Sequence, residues 1–189
     1  MSDYQLKAIF SSEGLVSQTL PAFRSRAGQI EFAQAIEASL MQSVDSVIEA
    51  ETGIGKSLGY LMPVLLSNKR VLISTYTKLL QDQIFYEDLS IARTVLASAK
   101  KVAVLKGRRN YLCPFKFAQL FESPSNRLPT EALAAVLEIK AWSTRTHTGD
   151  LSELEVLSAD VTDMITASAE ECQKRRCPNF DQCPLYNAR

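Results

Sequence analysis

The sequence predicts an α/β fold with a parallel sheet, followed by a smaller, mostly helical part. Short β-branched runs alternate with helix patterns over the first hundred residues, as in sheets covered by helices. A glycine-rich loop separates the first strand pattern from the next helix. After Gly107 the strand patterns stop and prolines become frequent. With 46% hydrophobic residues among 189, the chain is long and apolar enough to bury a core.

The first helix is predicted over 28–42, where Ile30, Ala33 and Ile36 recur near helical spacing. The run "SVIEA" predicts a short strand, and the two continuous apolar runs after it are typical of strands inside a parallel sheet. The later helices include one with an internal proline, Pro63, which would introduce a kink. In chain order, the elements after the first helix are strand 46–50, helix 56–68, strand 70–75, helix 77–89, helix 94–100 and strand 101–107.

The second part is predicted to be a separate domain. Pro114, Pro124 and Pro129 divide it into short segments. A helix over 130–142 would place Leu133, Val136, Leu137 and Lys140 on one side, with Trp142 closing its apolar face. The predicted organisation is a lead-in at 1–22, a first domain at 23–106, a second domain at 107–186, and a return to the first domain at 187–189.

Charge is balanced in total but not along the chain. The 21 basic and 21 acidic residues cancel. Six basic residues and no acid lie between Lys100 and Lys116, whereas seven acids and no base lie between Asp150 and Glu171. This separation favours one positive side on the molecule, although two unrelated solvated faces would give the same pattern. No secretory leader opens the sequence and no apolar run reaches the roughly 20 residues of a membrane span, so we expect a cytoplasmic protein.

The segment "AETGIGKS" (50–57) fits the Walker A pattern, with Ala50 in place of the first glycine. Small residues let the backbone N–H groups surround a phosphate, while Lys56 reaches the terminal phosphates and Ser57 offers a hydroxyl to Mg²⁺. The alternative is an ordinary glycine turn. Kinases, GTPases and motor ATPases share this loop, and the acidic Walker B strand of a hydrolase is missing. The segment that ends at Asp160 is too polar for it.

Four cysteines point to a metal centre. Cys113 stands alone, and Cys172, Cys177 and Cys183 follow in a polar, basic segment. Disulfides seldom persist in the cytoplasm, so thiolates that bind a metal are the better interpretation. The wide spacing and the three Cys-Pro steps favour an iron–sulphur cluster over zinc, but the spacing leaves zinc open.

Five segments together resemble the DinG/XPD-like superfamily 2 DNA helicases, in particular the bacterial DinG and YoaA type. They are "RAGQ" (26–29), "EAETGIGKS" (49–57), "ISTYTKLLQDQ" (73–83), "LKGRRNYLC" (105–113) and the closing cysteine run. The resemblance covers about residues 20 to 189. It implies the first part of a P-loop RecA-like motor domain, interrupted by a small 4Fe–4S domain, and ATP-driven 5′→3′ unwinding of DNA.

The resemblance also implies roles for single residues. The predicted ATP and Mg²⁺ ligands are Arg26, Gln29, Thr52, Gly53, Ile54, Gly55, Lys56 and Ser57, with Lys56 and Ser57 as the catalytic pair. The four cysteines match the cluster ligands. Thr75, Thr77, Lys78 and Gln81 match the region that touches the DNA strand, and Arg108 and Arg109 are further candidate DNA contacts. Glu51, Ile54 and Gly28 depart from the family pattern, which has small residues or threonine at the first two and proline at the third.

The implied partner is single-stranded or forked DNA, and replication or repair proteins are further candidate partners. No membrane association is expected, and the protein is expected to be a monomer. The basic residues near the cysteines would form a rim that binds phosphates: Lys106, Arg108, Arg109, Lys116, Lys174, Arg175 and Arg176. Stacking of bases on Tyr111, Phe115 or Phe117 is a weaker expectation than core packing for at least two of them. The alternatives are a short DNA-binding or regulatory paralogue, of the CRISPR-associated kind for example, and an unrelated P-loop ATPase or kinase with a zinc site.

Overall fold

The computed structural model describes residues 3–122, 130–155 and 157–188. The chain divides into two compact units, Met1–Val102 and Ala103–Arg189. Within the described ranges, no helix is long and apolar enough to cross a membrane. Pro124 and Pro129, predicted to punctuate the second part, lie outside the described residues. The functions assigned to the domains from sequence stay predictions.

The first unit is a group of helices around one apolar core. Its α-helices are α1 (Asp3–Ile9), α2 (Leu15–Thr19), α3 (Ala27–Gln42), α4 (Lys56–Leu66), α5 (Lys78–Asp82) and α6 (Leu89–Leu96). Helices α3 and α4 confirm the predictions over 28–42 and 56–68, except that α4 ends two residues early. Pro63 is fully buried inside α4. Leu6, Phe10 and Met62, which are not exposed at all, lie at the centre of the core.

The helix after the second predicted strand is longer than expected. A π-helical segment, Gln83–Asp88, joins α5 to α6. The predicted break between helices 77–89 and 94–100 is therefore wrong, and the helix ends where Ala97 turns to a left-handed φ of 47°. No residue of α5 is buried, whereas Leu89 and Val95 of α6 lie in the core.

The predicted parallel sheet is wrong for the part of the chain that the structure describes. Residues 46–50, 70–75 and 101–107 form no strand, and the one β-bridge among the described residues is an isolated antiparallel pair elsewhere, Tyr111 with Asp150. Val47 and Leu72 are 103% and 91% exposed instead of buried. An apolar, β-branched run raises strand propensity, but a strand also needs a neighbour to satisfy its backbone groups. These three runs have no such neighbour among the described residues, so the α/β, RecA-like fold class is corrected to a helical one.

The second unit has a separate core. It contains α7 (Pro114–Glu122), α8 (Thr130–Ser143), α9 (Ala159–Ile165) and α10 (Pro184–Asn187), with 3₁₀ turns at Arg108–Asn110, Leu151–Glu153, Lys174–Arg176 and Phe180–Gln182. Helix α8 confirms the prediction over 130–142, but its predicted face is largely wrong. Val136, Ile139 and Trp142 are buried, while Leu133 and Leu137 are exposed. Because apolar residues surround much of α8, its contacts with α9 decide which side is covered.

Candidate functional site

The glycine-rich loop before α4 depends on its glycines. Gly53 and Gly55 have φ angles of 79° and 88°, in the left-handed region where a Cβ is strained. Gly55 is the residue immediately before the first turn of α4, which begins at Lys56. The loop therefore leads directly into a helix N-terminus, the arrangement expected of a phosphate-binding loop.

Two residues at the N-terminus of α3, Arg26 and Gln29, hydrogen-bond to this loop. The Gln29 side chain is only 2% exposed, and its Nε2 donates to the Gly55 carbonyl at 2.9 Å. Arg26 donates to the carbonyl of Gly53. A Cβ on Gly55 would lie 2.3 Å from Gln29 Nε2. The structure thus places Arg26 and Gln29 against the loop, and their contacts here are to its backbone carbonyls.

Lys56 is folded back onto the same loop. Its Nζ donates to the carbonyls of Ala50 at 3.1 Å and Glu51 at 2.9 Å. The Ser57 hydroxyl bonds the side chain of Tyr60, and burial raises the pKa of that tyrosine. Thr52 is exposed. Among the described residues, the Lys56 ammonium has two neutral carbonyl oxygens as its hydrogen-bond partners, and a charged acceptor can displace them.

Two departures from the family pattern are neighbours in space. A Cβ placed on Gly28 would come within 2.7 Å of Ile54 Cδ1. Ile54 therefore occupies room that a larger residue at position 28 would need. The sequence showed both departures but gave no sign that they meet.

The residues predicted to touch DNA in the first unit lie at the start of α5. Thr77 caps this helix, because its side chain accepts from the Leu80 N–H at 3.2 Å. The Thr75 hydroxyl donates to the Thr77 carbonyl at 3.2 Å, so the two threonines stabilise the turn. Lys78 and Tyr76 are exposed, and Tyr76 is fully so.

All four cysteines line one cavity in the second unit. The cavity has a volume of about 180 Å³, and its walls include Pro114, Phe115, Phe180 and Tyr186 beside Cys113, Cys172, Cys177 and Cys183. Each thiol is half-buried and free of disulfides. The sequence analysis predicted that Cys113 lies with the other three cysteines, and in the structure it lines the same cavity as they do.

Backbone donors point at two of the sulphurs. The Lys174 N–H donates to Cys172 Sγ at 3.4 Å, which the left-handed φ of 54° at Lys174 permits. The N–H groups of Lys116 and Phe115 donate to the Cys113 sulphur. Burial raises the pKa of the Cys113 thiol, and the nearby Cys177 and Cys183 raise it further. A bound cation would reverse that effect, because ligand thiols deprotonate on metal binding.

The cavity fits a thiolate-bound cluster in its donor set, because four cysteine thiols line it. Among the described residues, no group of three or more His, Cys, Asp or Glu side chains already has the spacing of a metal site. Two observations support a cluster: four thiols line one cavity, and backbone N–H groups donate to two of the sulphurs. Such hydrogen bonds are a common feature of iron–sulphur sites.

The second unit also contains a buried ion pair that sequence reasoning missed. Lys106 Nζ lies 2.8 Å from Asp150 Oδ2, and their side chains are 1% and 6% exposed. Lys106 also donates to Ser152 Oγ at 2.9 Å, and its backbone N–H donates to the Tyr111 hydroxyl at 3.0 Å. Burial would raise the pKa of Asp150, but the hydrogen bonds and charge of Lys106 and the bonds from Ser152 lower it overall. The prediction that Lys106 belongs to a DNA-binding rim is therefore wrong, because its side chain is buried and paired with Asp150.

The other basic residues differ in their availability. Arg109 pairs with Asp163 on the surface, and Lys116 pairs with Glu171 at 3.0 Å. Arg108 is half-buried, and its Nη1 is buried without a hydrogen-bond partner among the described residues. Lys174, Arg175 and Arg176 are exposed. Tyr111 and Phe117 are buried at 4% and 8% exposure, which confirms that core packing is their role.

Comparison with known proteins finds close relatives among curated sequences, although no family model matches the chain. It is 38% identical over 187 residues to the ATP-dependent DNA helicase YoaA of Haemophilus influenzae, which covers 98% of this chain. It is 35% identical over 151 residues to the 3′-5′ exonuclease DinG of Bacillus subtilis, covering 78% of this chain. It is 34% identical over 186 residues to the ATP-dependent helicase DinG of Mycobacterium tuberculosis, covering 87% of this chain.

The chain is much shorter than these relatives. It spans 29% of the Haemophilus protein, 16% of the Bacillus protein and 28% of the Mycobacterium protein. The relatives' printed activities also differ, since two are helicases and one is an exonuclease.

Proposed function

We propose, from the chain's membership of the DinG/YoaA family, that it carries the ATP-binding loop and the iron–sulphur ligands of an ATP-dependent DNA helicase. The observation that carries the proposal is the convergence of Cys113 on Cys172, Cys177 and Cys183 around one cavity. The loop at 50–57, which leads into α4, supports nucleotide binding in the same chain. The proposed substrate is single-stranded or forked DNA, unwound in the 5′→3′ direction by the protein that contains this region.

The proposed ATP site works by an exchange of partners. Lys56 now donates to two neutral carbonyl oxygens, and phosphate oxygens are stronger acceptors because they are charged. The lysine would therefore leave Ala50 and Glu51 for the terminal phosphates, and Ser57 would leave Tyr60 for Mg²⁺. Arg26 and Gln29 would hold the loop from the α3 side, with Thr52 to Gly55 supplying its backbone donors. We expect binding without efficient turnover, because no Walker B aspartate accompanies the loop in these 189 residues.

The proposed cluster site uses the four cysteine thiolates as ligands of a 4Fe–4S centre. When bound, the cluster supplies a rigid cross-link between the ligands and a one-electron redox group. The chain's own part is to keep the thiols around one cavity and to donate backbone N–H groups to the sulphurs of Cys113 and Cys172. The three prolines after Cys113, Cys177 and Cys183 remove backbone donors and restrict the turns there.

The proposed DNA contacts are non-specific contacts to phosphates. In the first unit, the residues that would contact DNA phosphates are Thr75, Thr77 and Lys78. In the second unit, the exposed Lys174, Arg175 and Arg176 join Arg108 and Arg109. Binding through such groups releases counterions, so affinity falls steeply with salt. Replacing Arg108 and Arg109 together by alanine should weaken single-strand binding and reduce its salt dependence, and an unchanged affinity would remove these two residues from the proposal.

The nucleotide part is tested by binding of a fluorescent ATP analogue to the purified chain. Lys56→Ala should weaken binding by about 10- to 100-fold, because a hydrogen bond to a charged group is worth about 1.5–3 kcal/mol. Lys69→Ala is the matched control, since Lys69 is an exposed lysine whose Nζ bonds Ser43 at 2.6 Å. Equal affinities for the two variants would contradict the proposed ATP site.

The cluster part is tested on protein purified without oxygen. We expect iron and acid-labile sulphide in near-equal amounts, with the broad visible absorption of iron–sulphur proteins. Replacing Cys113 by serine should remove most of both. Colourless protein that contains stoichiometric zinc would contradict the cluster and favour a structural zinc site instead.

A further inference from the structure

A short loop of the second unit touches the flanks of both the first and the last cysteine. We propose that Gly149, held in place by the Lys106–Asp150 ion pair, is a positioning residue that sets the separation of Cys113 and Cys183. The inference rests on the proposed use of these thiols as ligands of one cluster. It concerns the chain's own geometry, however, and is testable without iron.

The contact with the first cysteine runs through its backbone. Tyr111 forms an antiparallel bridge with Asp150, and the Leu112 N–H donates to the Gly149 carbonyl at 2.9 Å. The next residue is Cys113, whose own N–H donates to the Ile165 carbonyl at 2.8 Å. Cys113 is thus fixed between the 149–150 loop and the end of α9.

The contact with the last cysteine is steric. A Cβ on Gly149 would lie 2.3 Å and 2.6 Å from the Cγ and Cβ atoms of Pro184, so the proline ring packs directly on the glycine. Gly149 also has a φ of 61°, which disfavours any other residue. Pro184 begins α10, and the Asn187 N–H donates to the Cys183 carbonyl at 3.0 Å, so proline and cysteine move together.

The ion pair keeps this loop from moving. Asp150 is buried, and besides Lys106 it accepts from the Ser152 N–H at 2.9 Å. If the carboxylate left this place, the Lys106 ammonium, whose side chain is 1% exposed, would stay buried without its charged partner. The glycine is therefore held at one distance from Tyr111 on one side and Pro184 on the other.

The test measures thiol proximity in the full-length chain with Cys172 and Cys177 replaced by serine. Dibromobimane, which fluoresces after both its arms alkylate thiols, then reports cross-linking of Cys113 to Cys183. We expect efficient cross-linking in this parent and a rate lower by about 10- to 100-fold after Gly149→Ala, because displacing reacting groups by about 1 Å can cost about 100-fold. Gly107→Ala is the control, since a Cβ there meets only Asn110 Nδ2, at 3.3 Å. An unchanged rate in Gly149→Ala, with an unchanged circular dichroism spectrum, would overturn the proposal.

A milder variant covers the case in which Gly149→Ala does not fold. Pro184→Ala keeps the glycine and removes the ring that packs on it, so we expect cross-linking to slow several-fold while helicity is retained. The same rate as the parent would again overturn the proposal. Iron content of the oxygen-free protein with all four cysteines is a separate measurement: its loss would sink the proposed cluster and leave the cross-linking result standing.

Discussion

Removing the charge of Lys106 should destabilise the second unit strongly. In Lys106→Met a side chain of similar length keeps the packing, but Asp150 loses its cationic partner while it is 4% exposed. The carboxylate would then be buried with the N–H and hydroxyl of Ser152 as donors but without a cation beside it. This is the situation in which an uncompensated buried charge costs most.

The expected magnitude follows from that burial. Breaking a buried ion pair on one side costs about 3–5 kcal/mol, a large share of the roughly 5–15 kcal/mol that stabilise a typical domain. With a urea dependence of about 2 kcal/mol per molar, a loss of about 4 kcal/mol would move the unfolding midpoint down by about 2 M.

The assay is urea unfolding followed by the fluorescence of the chain's single tryptophan. Trp142 is 8% exposed in the core of the second unit, and its Nε1 donates to Glu153 at 2.9 Å, so it reports on this unit. A chelator and a thiol reductant prevent metal binding from adding to stability. Asp150→Asn in the Lys106→Met background should recover most of the loss, because a neutral amide keeps an acceptor for Ser152 and leaves no buried charge.

The matched control is Arg109→Met in the same segment. Arg109 and Asp163 form an ion pair with side chains 64% and 62% exposed, and such surface pairs are worth about 0–1 kcal/mol. If Lys106→Met also costs less than about 1 kcal/mol, then the buried pair does not stabilise this unit and the reasoning fails.

Three further predictions follow from the same contacts. Because the folded state lowers the pKa of Asp150, this carboxylate stabilises the fold at pH values above its unfolded-state pKa, near 3.9. That stabilisation is lost as the pH falls through the lower folded-state pKa. The difference in unfolding free energy between the parent and Asp150→Asn should therefore shrink below about pH 4 and not above it. Gly55→Ala should weaken binding of the fluorescent ATP analogue more than Gly53→Ala does, because both have positive φ but only at Gly55 would the Cβ strike Gln29, whereas nothing lies within 4 Å of it at Gly53; equal losses would argue against the clash. Trp142→Phe should lower the free energy of unfolding by about 1.5–3 kcal/mol, measured by circular dichroism, because the Glu153 carboxylate loses one of its donors; no change would show that Thr146 and Thr148 suffice.

Local patterns predicted the glycine loop and the helices on either side of it. Helical spacing from Ile30 to Leu40 corresponds to α3, and the Gly-Lys-Ser step corresponds to the start of α4. Each depends on residues that are close in sequence, such as glycines that alone tolerate the φ angles of 79° and 88°. Short-range chemistry was enough for these elements.

The errors arise where a distant residue decides the outcome. The run 70–75 has the composition of a buried strand, but pairing requires a neighbouring strand that composition does not reveal. Lys106 was predicted to be one of seven basic residues in a phosphate-binding rim, because its partner Asp150 lies far along the chain. The four cysteines were the exception: their chemistry implies a common partner, so a long-range approach could be predicted from residue type.

The π-helical segment at Gln83–Asp88 has a consequence for how this region can diverge. Successive residues of an α-helix point about 100° apart, so losing or gaining one residue within 78–96 would rotate everything beyond it by that angle. Leu89 and Val95 would then turn out of the core. The helix would no longer combine a solvent-exposed α5 with an α6 whose apolar face is buried. We expect related genes to conserve the length of this stretch and apolar residues at its buried positions, and to vary at the exposed positions of α5.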